Sequence, residues 1–111
     1  MSSLRRLGLE VEGPDRDGRC NVLLSGELDI ATAPRVRRAI TRTFALGGTR
    51  TLTLDMSRLE FIDSSGLAAI VHASSLCERT GCELAMIRGP DAVHRVFELS
   101  GLAAELPFRE T

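Results

Sequence analysis

The residues best equipped for chemistry lie together in Glu60 to Ile70, EFIDSSGLAAI, where an acid is followed by two hydroxyls, a glycine and a small-residue apolar run. Three uses of Asp63, Ser64 and Ser65 compete. In the structural one, Asp63 or Ser64 accepts hydrogen bonds from the free amides that open a helix. In the hydrolytic one, a serine on a strand-to-helix turn is a nucleophile and the helix amides hold an oxyanion. That chemistry needs a base, and the chain has only His72 and His94. The glycine expected two positions before a nucleophile-elbow serine is missing, and His72 lies about two turns along the serine's own helix. No catalytic residue is assigned. In the third use a hydroxyl accepts a phosphate, which adds about -1.5 to -2 charges at neutral pH. A helix start favours such an anion by roughly 0.3 to 1 kcal/mol, whereas desolvating it beside Asp63 and Asp29 in an interface costs several kcal/mol. Modification then switches binding and spares the fold. Gly66 and Ala68 suit this use by keeping the helix start slim enough for a partner to approach.

The supporting frame is modest in size. At 111 residues with 43% hydrophobic content, the chain is expected to fold as one domain over 1–111 with a real core. Fourteen basic residues, all arginine, face fifteen acidic ones for a net charge of -1, so no overall field drives binding to nucleic acid or membranes. Cys20, Cys77 and Cys82 have no CxxC spacing and read as buried free thiols of a reduced, cytoplasmic protein without a signal peptide or spanning segment. His72 and His94 sit in ordinary contexts, and no metal site or cofactor is expected.

The elements follow from periodicity. Leu7, Leu9 and Val11 alternate as an edge strand, GPDRDG turns, and Cys20 to Ser25 forms a second strand completing a hairpin. Thr32 is a candidate N-cap for a helix carrying Val36, Ala39, Ile40, Thr43 and Phe44 at helical spacing, closed by Gly47 and Gly48. Arg35, Arg37, Arg38 and Arg42 fall mostly off its apolar stripe and read as a solvated face. Arg50 to Asp55 alternates as a third strand ending before the quoted stretch. The second helix places Leu67, Ile70, Val71, Ser74 and Cys77 on one side and ends at Gly81. Glu83 to Ile87 is a fourth strand. A short helix follows with Val93, Val96 and Phe97 inward, and AELPF adds a last short strand. The order ββαβαβαβ predicts an α/β fold, a mixed four- to five-stranded sheet with three or more helices.

These residues resemble the STAS domain family, and within it the bacterial anti-sigma factor antagonists. The resemblance is carried by SGELDIATAP, LDMSRLEFIDSSGLAAI and FELSGLAAELPF, and covers nearly the whole chain. It implies a single STAS domain that is a ligand and substrate with no catalysis of its own. By position, Ser64 is the phosphoacceptor, Asp29 is the acid beside it that matters for partner interaction, and Asp63, Ser65 and Gly66 complete the partner-binding surface. The implied partners are an anti-sigma factor that is also a serine kinase of the histidine-kinase-like ATPase fold, and a PP2C-type phosphatase. Phosphorylation would abolish binding and so return the sigma factor to its inhibitor. The alternative is a STAS scaffold subunit of a transporter or stress-sensing complex that uses the same helix start only for docking. Two departures bear on the partner: Ile30 and Ala31 stand where some relatives carry polar residues, and an extra C-terminal helix of some relatives is lacking.

Overall fold

A computed structural model describes residues 6–109. Strand β1 (Gly8–Glu12) pairs antiparallel with β2 (Arg19–Leu28), forming the expected hairpin with Leu9 opposite Leu24 and Val11 opposite Val22. Strands β3 (Thr51–Ile62) and β4 (Glu83–Ile87) add in parallel, giving the spatial order β1-β2-β3-β4. Helices α1 (Ala33–Leu46) and α2 (Ser64–Thr80) make the crossovers, and α3 (Asp91–Leu99) follows β4. Right-handed crossovers between strands that step in one direction bring the helices to one face of the sheet. Burial agrees: Val22, Leu24, Leu52, Leu54, Met56 and Met86 are buried, while Asn21, Thr53 and Glu83, which point the other way, are not.

Several elements differ from their sequence-based expectation. Strand β2 does not stop at Ser25 but continues to Leu28, and β3 does not stop at Asp55 but continues to Ile62. Register shifts at Leu23/Ser25 and Gly26/Glu27 explain why the extension is not legible as alternation. Beyond them the buried residues of β3 are Met56, Leu59 and Ile62, spaced by three instead of two. Gly26 makes this path possible: its φ is +83°, and a Cβ there would collide with the Arg6 carbonyl oxygen.

In α2, Val71 is exposed and Ser74 only half-buried, while Gly66, Leu67, Ala69, Ile70, Ala73 and Cys77 face the interior. The small residues are the ones against the sheet, so the helix lies close to it. The expected closing strand is reduced to a 3-10 turn, Leu102–Ala104, and one parallel bridge between Phe108 and Met86. Aromatic packing holds that segment instead, with Phe108 edge-on to His94 at 4.7 Å and to Phe97 at 5.1 Å. Cys20, Cys77 and Cys82 are all buried and unpaired, as expected.

Candidate functional site

The site forms where two βα turns meet at the same end of the sheet. The long β3 carries the chain to Ile62, directly beside Leu28 at the end of β2, so the β2–α1 turn and the start of α2 are neighbours. The Asp63 amide donates to the Leu28 carbonyl at 3.2 Å and joins them.

Asp63 is the N-cap of α2. Its backbone is extended, and Oδ1 accepts from the Gly66 amide at 3.0 Å, satisfying one of the free donors of the first turn. Its Oδ2 accepts from the Ile30 amide at 3.2 Å, across 33 residues of sequence. One carboxylate therefore caps a helix and clamps the neighbouring loop.

Asp29 organises that loop. Its Oδ1 accepts from the amides of Ala31 at 3.0 Å and Thr32 at 3.1 Å. Thr32 was the expected cap of α1, and it does occupy that position, but its hydroxyl makes no capping bond to the helix. It accepts instead from the Asp29 amide at 2.9 Å and donates to the Glu27 carbonyl at 2.8 Å. No side chain caps α1; the Asp29 carboxylate holds the turn amides that precede the helix, and the Asp29 backbone carbonyl accepts from the first helical amide, Ala33, at 2.7 Å. Sequence reading placed Asp29 beside Ser64 as a neighbouring acid and took its partner role from the resemblance; its Asx-type turn is signalled by the D-x-x-T spacing.

Ser64, the first residue of α2, is exposed. Among the described residues its hydroxyl has no hydrogen-bond partner, and the same holds for half-buried Ser65. Capping is done by Asp63, so neither serine is needed for it. Gly66 belongs underneath: it is buried, and a Cβ there would come within 2.6 Å of the Leu28 carbonyl oxygen and 2.7 Å of Ile62 Cγ1. The glycine serves helix-on-sheet packing directly beneath the two serines. Ala68 is exposed beyond the serines.

The groups that hydrolysis would need are not brought together. His94 is buried on α3, packed on Phe97 and Phe108, with Nδ1 unpartnered. His72 sits eight residues into α2 after Ser64, about 12 Å along the axis. Its pKa is held below the ordinary value, first by burial and then by the charges of Arg37 and Arg79. Among the described residues no group of three or more His, Cys, Asp or Glu could hold a metal ion, and no helix is long and apolar enough to cross a membrane.

Against known proteins, residues 9–111 match the STAS domain family model. An anti-sigma F factor antagonist of Paenibacillus polymyxa is 33% identical over 101 residues, spanning 91% of this chain and 86% of its own. The crystal structure of an anti-sigma factor antagonist from Mycobacterium paratuberculosis superposes with a TM-score of 0.81 at 29% identity, over 96% of this chain and 88% of that one. The anti-sigma factor antagonist SpoIIAA in its unphosphorylated form shares the fold, with a TM-score of 0.78 at 24% identity over 93% and 89% of the two chains.

Proposed function

This chain belongs to the STAS domain family, and from that premise we propose that it is an anti-sigma factor antagonist switched by phosphorylation of Ser64. One observation carries the assignment to Ser64: its hydroxyl is exposed and unbonded at the head of a helix that Asp63 already caps. A serine used as a cap would have its oxygen occupied. This one is presented.

The unmodified chain binds an anti-sigma factor that is also a serine kinase of the histidine-kinase-like ATPase fold, and the sigma factor is released. Asp29, Asp63, Ser64 and Ser65 form the surface it meets, with Gly66 packed beneath them as part of the same site. In the kinase complex the Ser64 Oγ attacks the γ-phosphorus of ATP; the new Oγ–P bond replaces the bond to ADP, and the hydroxyl proton leaves to a base on the kinase. The chain supplies a held nucleophile and no catalysis of its own. The amides of Ser64 and Ser65 have no partner among the described residues and lie at the positive end of the α2 dipole, so the phosphoryl group is tolerated in the free protein. In the complex the same group is desolvated next to Asp63, which already carries a negative charge, and the interface separates. A PP2C-type phosphatase restores the bare serine.

The test is to incubate the chain with its cognate kinase and ATP and map the phosphate by mass spectrometry. Stoichiometric phosphate on Ser64, absent in Ser64→Ala, is expected. Full-rate phosphorylation of Ser64→Ala overturns the assignment. Recovery of a transporter complex in place of a kinase would favour the scaffold role.

A further inference from the structure

The last turn of α2 brings two cysteines together at the end of the helix remote from Ser64. Gly81 leaves the helix in the left-handed region, at φ +76°, and its amide and that of Cys82 both donate to the Cys77 carbonyl, the latter at 2.9 Å. In such a closing turn the sixth residue folds back onto the first, and their side chains meet beneath it. Here both are cysteine. Cys77 is 2% exposed and Cys82 9%, and both belong to the one apolar core. Their thiols are also hydrogen-bonded to each other. Cys20 is buried as well, but it stands on β2, with β3 between it and β4. Strands lie about 4.8 Å apart, so Cys20 is roughly 10 Å from the β4 line, beyond the Cα separation of about 7 Å that a disulfide can span. The backbone thus selects one pair out of three thiols.

We infer that Cys77 and Cys82 are a modification site, a thiol pair that a low-molecular-weight disulfide converts into an internal Cys77–Cys82 disulfide. Two apolar side chains would close this turn equally well; two thiols make the contact one that can become a bond. Cys82, the more exposed sulfur, reacts first. It gives its proton to solvent and attacks one sulfur of the reagent, whose S–S bond breaks, and the first small thiol leaves after taking up a proton. Cys77, deprotonated in turn, attacks Cys82 Sγ and expels the second small thiol. The two protein thiols lose two electrons and two protons, and the reagent is reduced to two thiols. Cys77 never meets the reagent, so its burial does not block the sequence. Burial pushes its thiol up to about 12 and slows the second step, while the nearness of the two sulfurs within one turn offsets that. Cys77 lies 13 residues beyond Ser64 on the same helix, about 20 Å along its axis, so the inference stands apart from the function proposed above.

The experiment incubates the full native chain with oxidised glutathione in mildly alkaline buffer, blocks the remaining thiols with iodoacetamide and digests with trypsin. Arg79 lies between the two cysteines, so cleavage separates peptide 59–79 from peptide 80–88. The expected product has these two peptides joined; the intact chain is lighter by two hydrogens, carries no glutathione and reverts with dithiothreitol. Cys20→Ala should react as the parent does. Cys77→Ser should stop with one glutathione on Cys82, and Cys82→Ser should leave Cys77 unmodified, with circular dichroism as the folding control for each. Should Cys77→Ser fail to fold, Cys20→Ala still decides, since a folded Cys20→Ala chain that forms no disulfide overturns the inference. It falls equally if the native parent keeps three free thiols while its urea-unfolded form is oxidised, if glutathione stays on Cys82 of the parent, or if the joined peptides are those of Cys20.

Discussion

Asp63 and Ile30, 33 residues apart in the chain, are joined by a 3.2 Å hydrogen bond from the Ile30 amide to Asp63 Oδ2. The other oxygen of the same carboxylate caps α2 through the Gly66 amide. This side chain ties the β2–α1 turn to the head of α2 and leaves the intervening Ser64 hydroxyl without a structural task. The cap of α2 therefore does not draw on the Ser64 hydroxyl.

Asp63→Ala removes the cap and the clamp together, and the two amides lose a charged acceptor. A cap is worth about 0.5–2 kcal/mol, and a hydrogen bond to a charged group about 1.5–3 kcal/mol; with solvent access at this half-buried position, a net loss of about 2 kcal/mol is expected. Urea denaturation measures it. A midpoint within error of the parent would show that the carboxylate does not hold the turn.

Ser64→Ala should change stability by no more than about 0.5 kcal/mol, the range of surface substitutions that break no contact. Ser64→Asp should melt near the parent temperature and fail to retain the cognate kinase on a column. A large drop in melting temperature for either variant would assign Ser64 to capping after all.

Gly66→Ala tests the packing under the site. The added methyl meets the Leu28 carbonyl oxygen and the Ile62 side chain at less than van der Waals separation, so α2 must lift, at a cost of about 1–3 kcal/mol. Denaturation gives the energy. NMR shifts confined to residues 28–31 and 62–67 would locate the strain.

Cys77 gives a pH dependence. Burial pushes its thiol up to about 12 from an ordinary value of 9.0. The folded state therefore holds this proton more tightly than the unfolded chain, so the contribution is fully present below about pH 9 and is lost as pH rises toward 12. Alkaline unfolding followed by circular dichroism should be less steep in Cys77→Ala. Thiol reagents at pH 8 should label Cys77 only upon unfolding, and rapid labelling of the native chain would contradict its burial.

His72 titrates below its ordinary value through burial and the charges of Arg37 and Arg79. Its neutral form is favoured in the fold, so its contribution is present above about pH 6.5 and is lost as pH falls. An NMR titration of Arg37→Ala with Arg79→Ala should find the His72 pKa raised, with the part due to burial remaining. No movement would place the two arginines too far away to act on it.

Local patterns in the chain settled much of this. Strand alternation in GLEV and CNVLLS, helical spacing from Val36 to Phe44 and the glycines at 47 and 81 each report a preference of neighbouring backbone and side chains, and such preferences are written in consecutive residues. The polar cluster IDSSG was likewise visible, because an acid and two hydroxyls before a small-residue helix have few uses. Where β2 and β3 end was not visible, since their bulges replace the two-residue period with an irregular one that only cross-strand pairing defines.

The division of labour among Asp29, Thr32, Asp63, Ser64 and Gly66 was also beyond local reading. Sequence alone determined that a helix begins at these residues and that hydroxyls stand at its head. Tertiary structure decided which side chain caps it, which glycine lies beneath it and which of the two unbonded hydroxyls stands exposed, because those choices depend on Leu28 and Ile30 arriving from a distant turn to compete for the same donors, acceptors and space.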